Sequence, residues 1–355
     1  MAHGGHWVAR TDEGQVVFVR HTLSGERVRA VVTEDSGRFL RADAVEVLEA
    51  SPMRVEAPCA LAHAGGCGGC DFQHVRPAEQ RSLKAGIVAE QLRRLAGIEW
   101  PVECEAVPDD AASDLGQGLR WRTRMQYVDL GSGRRGLRKH RSHETVEVDD
   151  CLIARRDARE PTPGDVVEVV RHRSYRVAGD GFWQVHPGAP EALVAAVLAQ
   201  VDAGAGESVL DLYSGVGLFT AFLAEAVGES GRVIGVEGDR RATSYARENL
   251  ADLPQASAVG DRVDRWLRRN PGRSDVVVLD PPRAGARRAV VEAVIAREPR
   301  AISYVACDPA ALARDLGYFA DSGYQLTELR CLDLFPMTSH VEVVAKLVRA
   351  VADLQ

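Results

Sequence analysis

Two side chains carry the clearest chemical potential in this 355-residue chain, Cys307 and Glu342. Cys307 follows the apolar run Ile302 to Val305 and precedes Asp308-Pro309 and a helical pattern over Ala310 to Phe319. That order predicts a thiol at the end of a strand, beside a helix N-terminus whose partial positive charge would lower its pKa and favour a nucleophilic thiolate. Glu342 lies in Ser339-His340-Val341-Glu342, after a turn that would return its carboxylate to the same edge as a base for a C–H proton. Taken alone, each has a plainer reading: a small buried core residue for Cys307 and an exposed strand glutamate for Glu342.

A second set suits a nucleotide-like cofactor. Asp211-Leu212-Tyr213-Ser214-Gly215-Val216-Gly217 sits where a strand pattern turns into a helix pattern, and its glycines let the backbone approach a ligand closely. Glu237 ends the next strand pattern, where an acidic side chain can accept hydrogen bonds from ribose hydroxyls. There is no G-x-G-x-x-G completion, and Asp-Leu-Tyr before the glycines fits S-adenosylmethionine better than a dinucleotide. The alternative is an ordinary tight turn with a solvated glutamate. Asp280-Pro281-Pro282-Arg283 closes a third strand pattern; the two prolines stiffen the turn and suit a carboxylate held toward a planar base, the alternative being a helix N-cap.

The chain has seven cysteines, an odd number with no recognisable secretion signal, which favours metal or catalytic thiolates over a disulfide framework. Cys59, Cys67-Gly68-Gly69-Cys70 and the distant Cys151 supply four of them, and by spacing alone they suit zinc or an iron–sulfur cluster. Cys104 and Cys331 read as plain thiols.

The elements that must position these groups fall into three segments. Residues 1–55 alternate short apolar runs with turn signals, as in a small β-barrel or meander. Residues 56–175 hold the Gly/Cys-rich loop, a helix of roughly twenty residues after Pro77 and a basic hairpin. In residues 176–355, apolar strands at 208–212, 232–237, 275–279 and 301–305 alternate with helices beginning near Leu218, Arg241, Ala286 and Ala310. This is the pattern of an α/β fold with a parallel sheet, followed by two strands joined through Phe335 to Ser339. The net charge of −7 argues against coating nucleic acid through bulk charge but leaves room for a local basic face. Arg120-Trp121-Arg122-Thr123-Arg124, Arg134-Arg135 and Arg138-Lys139-His140-Arg141 interleave basic and aromatic residues, as expected for phosphate contacts with some stacking, or else for a solvated hairpin. No apolar window is long enough to span a bilayer, so a soluble, cytoplasmic protein without a membrane partner is expected.

Taken together, these residues resemble the RNA uracil-C5 methyltransferase family, especially its bacterial members with an N-terminal TRAM domain and an iron–sulfur cluster. Phe182-Trp183-Gln184-Val185-His186 is similar to the family's F-x-Q-x-N element, and Asp211 to Phe219 to its D-L-Y-x-G-x-G-x-F loop. Tyr304 to Pro309 with Leu312-Ala313-Arg314-Asp315 resembles the nucleophile motif, and Pro336 to Glu342 the base motif. The resemblance implies a class I, Rossmann-like methyltransferase domain behind an OB-like TRAM barrel and a middle α+β domain. It implies that Gln184, Tyr213, Glu237 and Asp280 bind S-adenosylmethionine, and that Cys307 adds to uracil C6 while Glu342 removes the C5 proton. Cys59, Cys67, Cys70 and Cys151 would hold a [4Fe–4S] cluster, favoured over zinc. The RNA implied is 23S ribosomal RNA, with the T-loop of transfer RNA as the alternative; a non-catalytic RNA-binding protein that keeps the fold is a separate reading. The chain departs from the pattern at Leu218, where some relatives have Asn, and at Ser214 and Asp308.

Overall fold

Val276-Val277-Val278-Leu279 is apolar on both faces, and a strand so built needs cover on both sides. In the computed structural model, which describes residues 1–2, 4–108 and 118–350, it receives that cover. The strand lies inside an eight-stranded sheet whose order is Ala256–Gly260, Arg232–Glu237, Ser208–Leu212, Val276–Leu279, Ala301–Ala306, Glu342–Arg349, Tyr324–Asp333 and Cys104–Ala106. The first five run parallel to one another. Glu342–Arg349 then returns antiparallel against Ala301–Ala306. The helix Ala189–Val201 packs on Leu218–Val227, whereas Val263–Arg269, Arg287–Ile295 and Pro309–Ala320 pack on one another in turn, giving two helical layers. This is a doubly wound, Rossmann-like α/β architecture. It forms the larger of two compact units, Val88–Pro108, Pro161–Leu332 and Val341–Gln355.

The helices expected near Leu218, Arg241, Ala286 and Ala310 begin at Leu218, Arg240, Arg287 and Pro309. Asp308 caps the last of these by accepting from Ala311 N at 2.8 Å, with Pro309 at its first turn. Several elements, the helix Val263–Arg269 among them, had no counterpart in the sequence reading, and two show why. Ala189–Val201 is apolar nearly all round, so it lacks the polar stripe that marks a surface helix. Ala256–Gly260 is a short edge strand of small residues.

The second unit comprises Met1–Ile87, Asp109–Glu160 and Asp333–His340. Its first four strands, Trp7–Arg10, Val16–Arg20, Arg27–Asp35 and Phe39–Glu49, pair in the order first, second, fourth, third, with three register irregularities between the last two. Bulges of this kind increase strand twist. A three-stranded antiparallel sheet, Val128–Gly131, Arg134–Arg138 and Thr145–Glu147, is the basic hairpin. The segment 333–340, which precedes Glu342 in the chain, is pinned here. Lys84 Nζ, fully buried, donates to Asp333 Oδ1 at 2.6 Å and to the Phe335 carbonyl at 2.9 Å. Met337 N donates to Gln80 Oε1, and Ser339 N to Asp71 Oδ2, both at 2.9 Å.

Two residues expected to face RNA do not. Arg120 is buried, paired with Asp150 and donating to the carbonyls of Cys151 and Ala154 at 3.0 Å. Trp121 is buried with its ring edge-on to Phe335. The alternation of basic and aromatic residues there reflects a guanidinium that satisfies buried carbonyls, not an exposed stacking platform. Arg134 and Arg135 stay at the surface, where they pair with Glu147 and Glu160. No described helix is long and apolar enough to cross a membrane.

Candidate active site

Strand register decides which side chains meet. Ala306 pairs with Val343 in the antiparallel ladder, so the next residue on one strand, Cys307, comes opposite the preceding residue on the other, Glu342. Leu279 pairs with both Leu212 and Tyr304, and Leu212 with Val236, so Asp280, Tyr213 and Glu237 leave their strands at the same carboxyl edge. Open parallel sheets bind ligands at that edge.

The loop after Leu212 is built tightly. Tyr213, Gly215 and Gly217 all have positive φ, at 65°, 54° and 90°. Gly215 N donates to Glu237 Oε2 at 2.9 Å, and Asp239 N to Glu237 Oε1 at 2.7 Å, which fixes the acidic side chain under the loop. Gly235, beneath it, has no room for a side chain: a Cβ would lie 2.8 Å from Thr220 Oγ1 and 2.9 Å from Ser214 Oγ. Asp211 accepts from Thr220 Oγ1 through Oδ2 at 2.5 Å, but its Oδ1 and the Ser214 hydroxyl are buried without hydrogen-bond partners among the described residues. Buried polar atoms are normally satisfied, so two orphans under a glycine loop fit a polar ligand and suit the amino-acid and ribose ends of S-adenosylmethionine. Gln184 lies half-buried in the irregular segment before Ala189. Its neighbour Trp183 packs on Tyr175, whose hydroxyl donates to the Leu218 carbonyl at 3.4 Å, so the segment reaches the end of the loop.

Electrostatics at this edge are dominated by carboxylates out of water. Burial pushes Asp211 up to about 7, and Glu237 adds to the rise. Asp280 is raised by burial and then by Asp211 and Glu237. Glu342 is raised well above the usual carboxylate range by burial and by Asp280, with Arg283 opposing. The sequence reading expected a lowered Cys307 pKa; instead it is pushed up to about 11 by burial, then by Glu342 and Asp280, against a lowering influence of Arg283. Burial contributes most to this rise and the two facing carboxyls add to it, together outweighing the helix N-terminus. A shallow cleft beside the sulfur is lined by Pro281, Pro282, Arg283, Tyr304, Cys307 and Asp308, among others. Asp211 and Arg283 stood inside the motifs read from sequence without roles; their burial and charge gave them weight.

Cys59, Cys67, Cys70 and Cys151 belong to the second unit. Gln73 links two of them: its Nε2 donates to Cys70 Sγ at 3.2 Å and its Oε1 accepts from Cys59 N at 3.0 Å. Gly69 N donates to Cys67 Sγ at 3.3 Å, and burial raises the Cys151 thiol, with the Ala154 and Ile153 amides opposing. The Cys70 thiol is raised by burial and by Cys151, Cys67 and Cys59, which places all four within mutual electrostatic reach. Among the described residues, however, no three His, Cys, Asp or Glu side chains are arranged to hold one metal ion.

The chain matches the model of the TRAM domain over residues 2–45 and that of tRNA (Uracil-5-)-methyltransferase over 271–350. Residues 184–266 match Protein-L-isoaspartate(D-aspartate) O-methyltransferase. It is 45% identical to an uncharacterized RNA methyltransferase of Streptomyces coelicolor, over 98% of this chain and 91% of that one. It is 29% identical to the 23S rRNA (uracil(1939)-C(5))-methyltransferase of Acinetobacter baumannii, over 94% and 89%. The tRNA (uracil-54, C5)-methyltransferase of Pyrococcus abyssi, solved with S-adenosyl-L-homocysteine, shares the fold with a TM-score of 0.70 at 21% identity, over 97% of this chain and 100% of that one.

Because a carboxyl raised in the folded state binds a proton more tightly than in the unfolded chain, Asp211 disfavours folding progressively as pH rises from about 4 toward its folded value. Asp211→Asn should therefore raise apo-protein melting less at pH 5 than at pH 8. Calorimetric melts at the two pH values check this; an equal offset at both contradicts it.

Proposed function

This chain belongs to the TRAM-containing RNA uracil-5-methyltransferase family, and from that premise we propose that it forms 5-methyluridine in 23S ribosomal RNA with Cys307 as nucleophile and Glu342 as base. The observation that carries the assignment of roles is the register Ala306 to Val343, which sets the thiol and the carboxylate at adjacent strand ends. Uracil C5 is too weak a nucleophile to take a methyl group unaided. Addition of the Cys307 sulfur to C6 moves the C5–C6 π electrons toward O4 and leaves C5 nucleophilic. S-adenosylmethionine supplies an electrophilic methyl group when bound. The Glu342 carboxylate then takes the C5 proton, the C–H electrons re-form the C5–C6 double bond, and the C6–S bond breaks to return the thiolate. A carboxyl held above the ordinary range is the stronger base once ionised, which suits proton removal from carbon.

Gln184, Tyr213, Glu237 and Asp280 are assigned to the methyl donor, with Asp211 added for its unpartnered oxygen. A target uridine within folded RNA must leave its stack to reach the cleft. Ribosomal RNA is preferred over transfer RNA because the Acinetobacter relative aligns over nearly all of both chains, whereas the Pyrococcus likeness is one of fold. Residues 1–55 and the hairpin of 56–175 are assigned to RNA contact, and 176–355 to chemistry. The place of work is then the cytoplasm, where ribosomal RNA is found.

Cys59, Cys67, Cys70 and Cys151 are proposed to hold a [4Fe–4S] cluster, with zinc as the alternative. Support comes from their convergence in one unit, from N–H donors already directed at sulfur, and from Arg20. Arg20, within 3.7 Å of Asp71 and 3.8 Å of Asp43, brings a positive charge that acts on Cys67. Such a centre would join residues 59 and 151 as a staple.

Methyl transfer from tritiated donor should appear in 23S ribosomal RNA and fall by about a thousandfold or more in Cys307→Ala and Glu342→Gln, with donor affinity within about threefold. Transfer confined to tRNA would reassign the substrate; transfer to neither RNA, with donor bound, would remove the enzymatic claim. Anaerobically prepared protein should contain about four iron atoms per chain, lost in Cys70→Ser. Zinc in their place would make the centre a zinc site.

A further inference from the structure

Asp315 is the most heavily engaged carboxylate near the cleft, and it has no part in the bond-making described above. Its Oδ2 accepts from Ala286 N at 2.7 Å, from Arg287 N at 3.1 Å and from the Tyr304 hydroxyl at 2.7 Å. Its Oδ1 accepts from Arg314 Nε at 3.0 Å and Nη2 at 2.8 Å. The side chain is fully buried. Three elements thus meet on one group. Tyr304 belongs to the strand that ends before Cys307, Asp315 to the helix that begins after it, and Ala286 closes the loop that carries Asp280 and Arg283.

That loop is held where it would not sit unaided. Gly285 has φ +72°, and a Cβ there would lie 2.5 Å from both Arg314 Nη2 and Asp315 Oδ2. Arg287 holds φ +67° without being glycine. Arg314 Nη2 also donates to the Ala284 carbonyl at 2.9 Å. Non-glycine residues in the left-handed region persist where their surroundings over-determine them, and they gather at functional sites. The tied groups are also the walls of the cleft, since Pro281, Pro282, Arg283, Gly285, Tyr304 and Cys307 all line it.

We propose that Asp315 is a positioning residue that fixes the Arg283 loop against the Cys307 strand and helix. The proposal rests on the assignment of Cys307 as nucleophile. The charged groups around that sulfur are Glu342 on the returning strand, Asp280 and Arg283 on the loop, and Asp308 at the helix N-cap. Arg283 opposes the two carboxylates that act on the thiol, so moving the loop changes how readily the thiol ionises. Replacing the carboxylate with an amide turns one acceptor oxygen into a donor, which then faces either Arg314 or the Ala286, Arg287 and Tyr304 donors.

The test uses the full chain. Iodoacetamide alkylation of Cys307, resolved by peptide mass spectrometry across pH, is measured for wild type, Asp315→Asn and Tyr304→Phe, together with kcat and KM on RNA. For Asp315→Asn the alkylation midpoint should rise by about one pH unit and kcat should fall about tenfold or more near neutrality, recovering in part at higher pH. Tyr304→Phe, which keeps the carboxylate and removes one donor, should show a smaller shift in the same direction. Midpoints unchanged in both variants, with only melting lowered, overturn the proposal; should Asp315→Asn not fold, Tyr304→Phe decides alone. Methyl transfer retained in Cys307→Ala would instead sink the nucleophile assignment.

Discussion

Asp211, Asp280 and Glu342 are carboxylates taken out of water at one edge of one sheet, and each carries a raised pKa because burial and its neighbours disfavour its charge. Such a concentration opposes folding, since desolvated like charges repel and hydrogen bonds compensate only part of the cost. It persists because the parallel strands end together and the returning strand brings Glu342 to the same place. Arg283 supplies an opposing positive charge on the cleft side. An edge built this way is poised for a cationic ligand, and the sulfonium of S-adenosylmethionine is one.

The same constraint explains the state of Cys307. Burial, Glu342 and Asp280 push its pKa up to about 11, so the thiol ionises less readily than an ordinary cysteine. Arg283 opposes the rise at Cys307 and at Glu342. Asp315 matters in this picture because it joins the strand, helix and loop whose charges set the balance.

Much of this was legible in the sequence, since strand ends are marked by abrupt changes of residue type. Val276 to Leu279 giving way to Asp280-Pro281-Pro282 and Leu212 giving way to Tyr213-Ser214-Gly215 place the site without a structure. The helix Ala189–Val201 was not legible, because a segment apolar nearly all round has no periodic polar face. Arg120 and Trp121 were misread because local composition cannot separate a guanidinium solvated by water from one solvated by buried carbonyls. The direction of the Cys307 shift was missed for a related reason. A helix N-terminus is visible as Asp308-Pro309, whereas the carboxylates that outweigh it come from residues 280 and 342 and meet the sulfur only through the fold.

The central claim is a covalent bond between Cys307 and a pyrimidine ring. It is tested most directly by incubating the protein and methyl donor with 23S RNA containing 5-fluorouridine, where fluorine at C5 cannot leave as a proton, and mapping the adduct by peptide mass spectrometry. The account predicts a methylated nucleotide attached to the peptide that contains Cys307, absent in Cys307→Ala and still formed in Glu342→Gln. An adduct on another cysteine, or methylation proceeding with none, would contradict it.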